Sequence, residues 1–148
     1  MRSPNSIEVL LRVRSLREEI EERKLAGILG SLKVAEAELA RLSSELVSIT
    51  TLRLGEVQCV LPNTHHQAAE LRSRSLWRQC ADLAGQIERL SEVRSQQMSA
   101  YLLARREREV MESLAKSRVE ALEMERNLRE RKLNEDLFLA RRSAKSDT

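Results

Sequence analysis

The 148-residue chain carries 26 Lys and Arg against 23 Asp and Glu, and charged residues make up 33% of it. Only three aromatic residues, Trp77, Tyr101 and Phe138, are present to fill a compact core, which argues against an ordinary globular domain and favours long helices. The net charge of +3 is too mixed in sign for a one-sided nucleic-acid surface. No apolar run approaches the roughly 20 residues of a membrane span and no secretory signal opens the chain, so we expect a cytoplasmic protein.

The first predicted helix covers about residues 6–58. Asn5 is a candidate N-cap, and Glu8 stands at the third helical position. From residue 25 the apolar residues recur at alternating spacings of three and four, the heptad pattern of a left-handed coiled coil. Eight of eight positions fit: Leu25, Ile28, Leu32, Ala35, Leu39, Leu42, Leu46 and Ile49.

The turn is predicted at about residues 59–64. Pro62 cannot continue a helix because it lacks a backbone N–H and its ring clashes with the preceding turn. Thr64 and Gln67 then form a candidate capping box for a new helix. The second predicted helix covers about residues 65–142, and residues 143–148 are expected to be a frayed tail.

The second helix carries a matching seam at Leu76, Cys80, Leu83, Ile87 and Leu90. Folding about the turn pairs residues whose numbers add to about 124, so the two apolar seams face each other. The predicted fold is therefore all-α: a long antiparallel two-helix coiled coil, or αα-hairpin, with a C-terminal helical overhang. Beyond residue 90 we expect the seam to loosen and to resume, shifted, as one stripe. Its members are Val110, Leu114, Ala121, Met124 and Leu128.

The same pairing leaves residues 118–142 without an intramolecular partner. Pairs such as Glu125 and Arg129 support a helix that stands in solvent. An unpaired helical end that carries both charges and apolar side chains is where we expect a binding partner.

Chemistry-bearing motifs are weak. His65 and His66 are adjacent, so their side chains diverge on a helix, and no further ligand lies at useful spacing. Cys80 is expected to pack in the seam, and Cys59 is too distant from it along the hairpin for a disulfide. We therefore expect no metal, no cofactor and no catalysis. The basic run at residues 105–108 is interrupted by an acidic residue and lacks stacking aromatics, so nucleic-acid binding is not favoured.

Three segments resemble flagellar FliJ proteins. The opening residues 6–14, SIEVLLRVR, followed by Leu-Arg-Glu-Glu at 16–19, resemble the start of that family. Residues 125–135 resemble its closing run, with Asn134 where Asp is usual and Arg131 where Gln is usual. Residues 79–87 are similar to a central segment, with Gln79 in place of an aromatic residue.

The resemblance implies a stalk protein of the flagellar type III export apparatus, which supports flagellum assembly and motility without catalysis. It implies binding to the export ATPase hexamer and to the cytoplasmic ring of the export gate, handling of export chaperones, and only indirect, peripheral association with the inner membrane. The implied gate contacts are Leu42, Glu45, Ile49, Gln79, Leu83, Gln86 and Leu90. The implied ATPase contacts are Leu122, Arg126, Arg129, Arg131, Lys132, Leu133, Glu135 and Phe138.

Alternatives remain open. The related stalk proteins of virulence-type type III secretion systems have the same expected shape. The chain could instead be an adaptor that self-associates in parallel through its seam, with Pro62 only kinking each helix. A third alternative is a helix that binds nucleic acid or a membrane surface through its basic positions.

Overall fold

The structure, a computed structural model, describes residues 6–56 and 63–146. It contains two α-helices: α1 is Ser6–Glu56 and α2 is Asn63–Ser146. The two helices pack against each other in antiparallel orientation, and no strand occurs in the described ranges, so the predicted all-α hairpin is confirmed. No described helix has a stretch apolar and long enough to cross a membrane.

The helix bounds match the predictions closely. α1 begins where expected, whereas α2 begins at Asn63, so Thr64 lies inside the first turn and does not cap it. α2 also continues to Ser146, which makes the predicted tail from residue 143 wrong for most of its length. Asn5 and the turn at Pro62 lie outside the described residues.

The chain divides into two compact units. Unit 1 contains α1 up to Glu18 and α2 from Leu103, and unit 2 runs from Glu19 to Leu102. In unit 2 the predicted seam is confirmed, since every one of its positions on both helices is buried or half-buried. Among residues 6–56 and 63–146, Leu76 is the most deeply buried, at 0% exposure.

The antiparallel pairing is visible in the contacts of each unit. In unit 2, Arg72 binds Glu45 and Gln97 binds Glu21, and these residue numbers add to 117 and 118. In unit 1, Arg14 pairs with Glu107 and Arg108 with Glu18, which add to 121 and 126. The antiparallel pairing is confirmed, but in unit 2 the sums lie six or seven below the predicted value of about 124, a shift of about two helical turns. The midpoint between Glu56, where α1 ends, and Asn63, where α2 begins, is near residue 59 and not at Pro62, which accounts for the lower sums.

The predicted shift of the seam on α2 is wrong. The seam loosens at Arg94, which is exposed, as predicted. From Gln97 the buried and half-buried positions then keep the original heptad spacing through Tyr101, Ala104, Arg108, Met111 and Ala115. The apolar residues assigned to the shifted stripe are exposed instead, from 52% at Leu114 to 70% at Met124. Gln97 and Arg108 are polar, so the apolar pattern alone does not show that the seam keeps its register.

Candidate interaction surfaces

The residues implied to contact an export gate do not form one exposed face. Their apolar members occupy seam positions: Leu42 is 2% exposed, and Ile49, Leu83 and Leu90 are half-buried. Their side chains pack in the seam between the two helices. The surface members are Gln79 and Gln86, with Glu45 half-buried.

The three polar members lie along one flank of the seam in unit 2. Gln79 and Gln86 follow Arg72 at intervals of seven, so all three point to the same side of α2. The Arg72 guanidinium forms an ion pair with the Glu45 carboxylate of α1, with Nη2 and Oε1 2.5 Å apart, so Glu45 lies on that side as well. Arg41 lies 3.6 Å from the other oxygen of the same carboxylate.

A shallow groove opens beside Gln86 between the two helices of unit 2. Gly27, Gly30 and Ser31 on α1 form part of it, together with Val34, Glu38 and Leu83. At Gly27 and Gly30 a side chain would meet nothing within 4 Å, so the groove is open where the glycines stand. Glu38 accepts hydrogen bonds from Arg41 at 3.0 and 2.6 Å, and these bonds lower the pKa of the Glu38 carboxyl.

The residues implied to contact an ATPase all lie on exposed helix. Every described position of α2 from residue 116 onward is exposed, as the predicted overhang requires. Leu133 is 61% and Phe138 is 65% exposed. The predicted pair of Glu125 and Arg129 is present at 2.5 Å, and Arg126 lies 3.6 Å from Glu130.

These eight residues fall on two sides of the helix. Leu122, Arg126, Arg129 and Leu133 follow one another at spacings of four, three and four, so they form one continuous face. Arg131, Glu135 and Phe138 form a second face by the same rule, and Lys132 lies between the two. The structure therefore brings the eight residues together as two surfaces of one helix.

A polar stretch of the seam was missed by sequence reasoning. At the open end of the hairpin, α1 places Arg14, Glu18 and Glu21 at seam positions, where each is half-buried. In unit 1 Arg108 donates to Glu18, and the two side chains are 25% and 15% exposed. That bond raises the pKa of the Arg108 guanidinium. A search for apolar heptads cannot find such positions, although opposite charges spaced at three and four would have indicated them.

Arg14 and Arg17 share one acceptor in unit 1. Arg14 donates to Glu107, and Arg17 lies 3.8 Å from the same carboxylate oxygen. A small groove next to this cluster is lined by Arg106, Val110 and Met111. The cluster is structural in character, since it joins the two helices through ion pairs.

The described residues contain no group placed to form a metal site. No group of three or more His, Cys, Asp or Glu residues is placed to hold a metal ion within residues 6–56 and 63–146. Cys80 is a free thiol at its predicted seam position, and Cys59 lies outside the described residues. His65 and His66 lie in the first turn of α2, where His65 borders a groove with Ala68 and Arg72.

The chain matches no protein-family model, and neither the curated proteins nor the solved structures contain a significant match to it.

Proposed function

We propose that the chain is a non-catalytic stalk of a type III protein export apparatus, flagellar in kind, which binds the export ATPase ring with the exposed part of α2. The observation that carries the proposal is the exposed helix from residue 116 to Ser146, which continues α2 far beyond its last half-buried residue, Ala115. The resemblance of both chain ends to FliJ proteins supplies the identity of the partner.

The exposed helix is suited to insertion between subunits of a ring. Its two partly apolar faces are separated by charged strips, so two surrounding surfaces can each receive one face. Arg131 and Lys132 make no ion pair within the described residues, which leaves both charges for acidic groups of a partner. Because such contacts are exposed, the affinity should fall as ionic strength rises.

The proposed gate-facing surface is the flank that carries Glu45, Gln79 and Gln86. It has polar groups and an adjacent open groove, whereas the apolar residues implied at this position stabilise the hairpin itself. Export chaperones are proposed as further partners, and a virulence-type system remains the alternative host. Association with the inner membrane would be indirect, through the apparatus.

The test is binding to a purified export ATPase hexamer. Ala121→Pro breaks the exposed helix before the proposed contacts, at a cost of about 3 kcal/mol in a helix interior. We expect it to weaken binding at least about tenfold while the circular dichroism of the hairpin stays nearly unchanged.

Ala144→Pro is the matched control, since it makes the same substitution in the same exposed helix beyond the last proposed contact, Phe138. It should bind like the parent chain. Equal binding by all three proteins would refute the assignment of the contact to this part of α2. Equal loss in both variants would show that helix continuity alone, and not the proposed residues, is required.

A further inference from the structure

A second heptad stripe runs along the outside of α2 in unit 1. It consists of eight positions at strictly alternating spacings of four and three, and six of them are apolar or alanine. We call it the outer stripe: Leu103, Glu107, Val110, Leu114, Ser117, Ala121, Met124 and Leu128. It covers 26 residues, or about 37 Å of helix at about 1.5 Å per residue.

Apart from Glu107, whose carboxylate pairs with Arg14 of α1, the members of the outer stripe are exposed among the described residues. Leu103 is 60%, Val110 59% and Leu128 57% exposed. α1 packs on a different side of α2, where Ala104 is 5% exposed and Met111 is half-buried. Sustained heptad spacing of exposed apolar residues is the pattern that receives another helix by knobs-into-holes packing.

We propose that a second copy of this chain covers the outer stripe, with the two α2 helices antiparallel about a two-fold axis between Leu114 and Ser117. The proposal goes beyond the stalk function and does not depend on it. A two-fold pairing brings the same surface of both copies together, so the stripe must be complementary to itself.

The apolar positions of the outer stripe are complementary to themselves. With the axis at this position, Leu103 faces Leu128 of the second copy and Val110 faces Ala121. Leu114 packs beside Ser117, a small side chain that lets the helices approach closely at the axis. Every position of the stripe is then matched, and the symmetry repeats each pair once on the other side.

The charges at the stripe are also compatible with self-pairing. Glu107 is the only acidic member, and its carboxylate is already paired with Arg14 and lies 3.8 Å from Arg17. Facing Met124 of the second copy, it therefore brings no uncompensated charge to the interface.

The residues beside the outer stripe also face each other across the two α2 helices without like-charge repulsion. Arg106 is opposite Asn127, Ser113 is opposite Glu120, and no two like charges are opposed. Glu125 of the second copy lies on the side where α1 holds Arg14 and Arg17, which adds a favourable long-range attraction.

Sedimentation equilibrium of the full chain tests the association. We expect dimers at micromolar concentration, and monomers for the double variant Val110→Glu with Leu114→Glu. Both substituted residues are exposed, so the hairpin itself should keep its helicity. Val119→Glu is the matched control: Val119 is 55% exposed on another side of the same helix, and the variant should remain dimeric.

Cross-linking tests the orientation. In a chain with Cys59→Ser and Cys80→Ala, Leu103→Cys should form a disulfide with Leu128→Cys when the two single-cysteine proteins are mixed, and neither should cross-link with itself. A parent chain that stays monomeric up to about 100 μM, well above typical specific association, would overturn the proposal. Equal dissociation by Val119→Glu, or cross-links of Leu103→Cys to itself, would also overturn it.

Discussion

Leu76 is expected to be the most sensitive apolar position in the hairpin. It is 0% exposed, and the register of unit 2 places it opposite Leu42, which is 2% exposed, because their numbers add to 118 as those of Gln97 and Glu21 do. Leu76→Ala removes three buried carbons at about 0.8 kcal/mol each, or about 2.4 kcal/mol. The cavity adds to this loss, but a seam only two helices thick can partly collapse, so we expect about 2–3 kcal/mol in total.

Urea unfolding followed by circular dichroism at 222 nm measures this loss as a lower midpoint with an unchanged slope. Leu71→Ala is the control, since it makes the same substitution on the same helix at a site that is 66% exposed. It should change the free energy of unfolding by no more than about 0.5 kcal/mol. A Leu76→Ala variant as stable as Leu71→Ala would refute the assignment of the core to this seam. Leu42→Ala combined with Leu76→Ala should cost less than the sum of the single changes, because both open the same cavity.

Two further predictions concern charges. Arg108→Glu should lower the thermal midpoint because it places a second negative charge next to Glu18. Adding Glu18→Arg restores opposite charges and should recover most of the lost thermal midpoint. A double variant with the same thermal midpoint as Arg108→Glu alone would show that this ion pair does not hold the two helices together. The carboxyl pKa of Glu38 is lowered by its hydrogen bonds from Arg41, so its stabilising effect is present above the unfolded pKa and is lost as the pH falls through the folded value. Between about pH 5 and pH 3 the thermal midpoint of Glu38→Gln should therefore fall slightly less than that of the parent chain, and an equal fall would contradict the role of this pair.

Most of the hairpin could be predicted from the sequence because the strongest sequence pattern, the apolar heptad run, also forms the buried core. The unbroken run from Leu25 to Ile49 has a single physical interpretation, a helix buried along one side, and the structure confirms it. The matching run on α2 then predicts the antiparallel pairing, but its register also depends on where the helices end at the turn, which the sequence places only approximately.

The rest of the seam was hidden because a search for apolar periodicity does not detect charged residues at half-buried positions. Glu18 and Arg108 satisfy each other, so they occupy the seam without any apolar residue to mark it. The converse error occurred at Val110 and Leu114. Their spacing is correct for a coiled coil, but it does not say which helix they face, and α1 lies elsewhere.

The candidate contact surfaces stay predictions, whereas the fold is confirmed. The resemblance indicates positions but not their exposure: Leu42 and Leu83, which it implies as gate contacts, lie in the seam. Exposed helix such as that around Leu133 has no tertiary contacts to disturb it, so local helical preference is enough to predict it.

The polar stretch of the seam has a consequence for how the hairpin opens. Backbone amides exchange with solvent by local opening, and the free energy of that opening follows the strength of the surrounding contacts. The seam positions Arg14, Glu18 and Glu21 of α1 are held through ion pairs and hydrogen bonds, whereas Leu25 begins the fully apolar seam. Deuterium uptake should therefore rise sharply on the N-terminal side of Leu25, and added salt should speed exchange there while leaving the amides around Leu32 nearly unaffected.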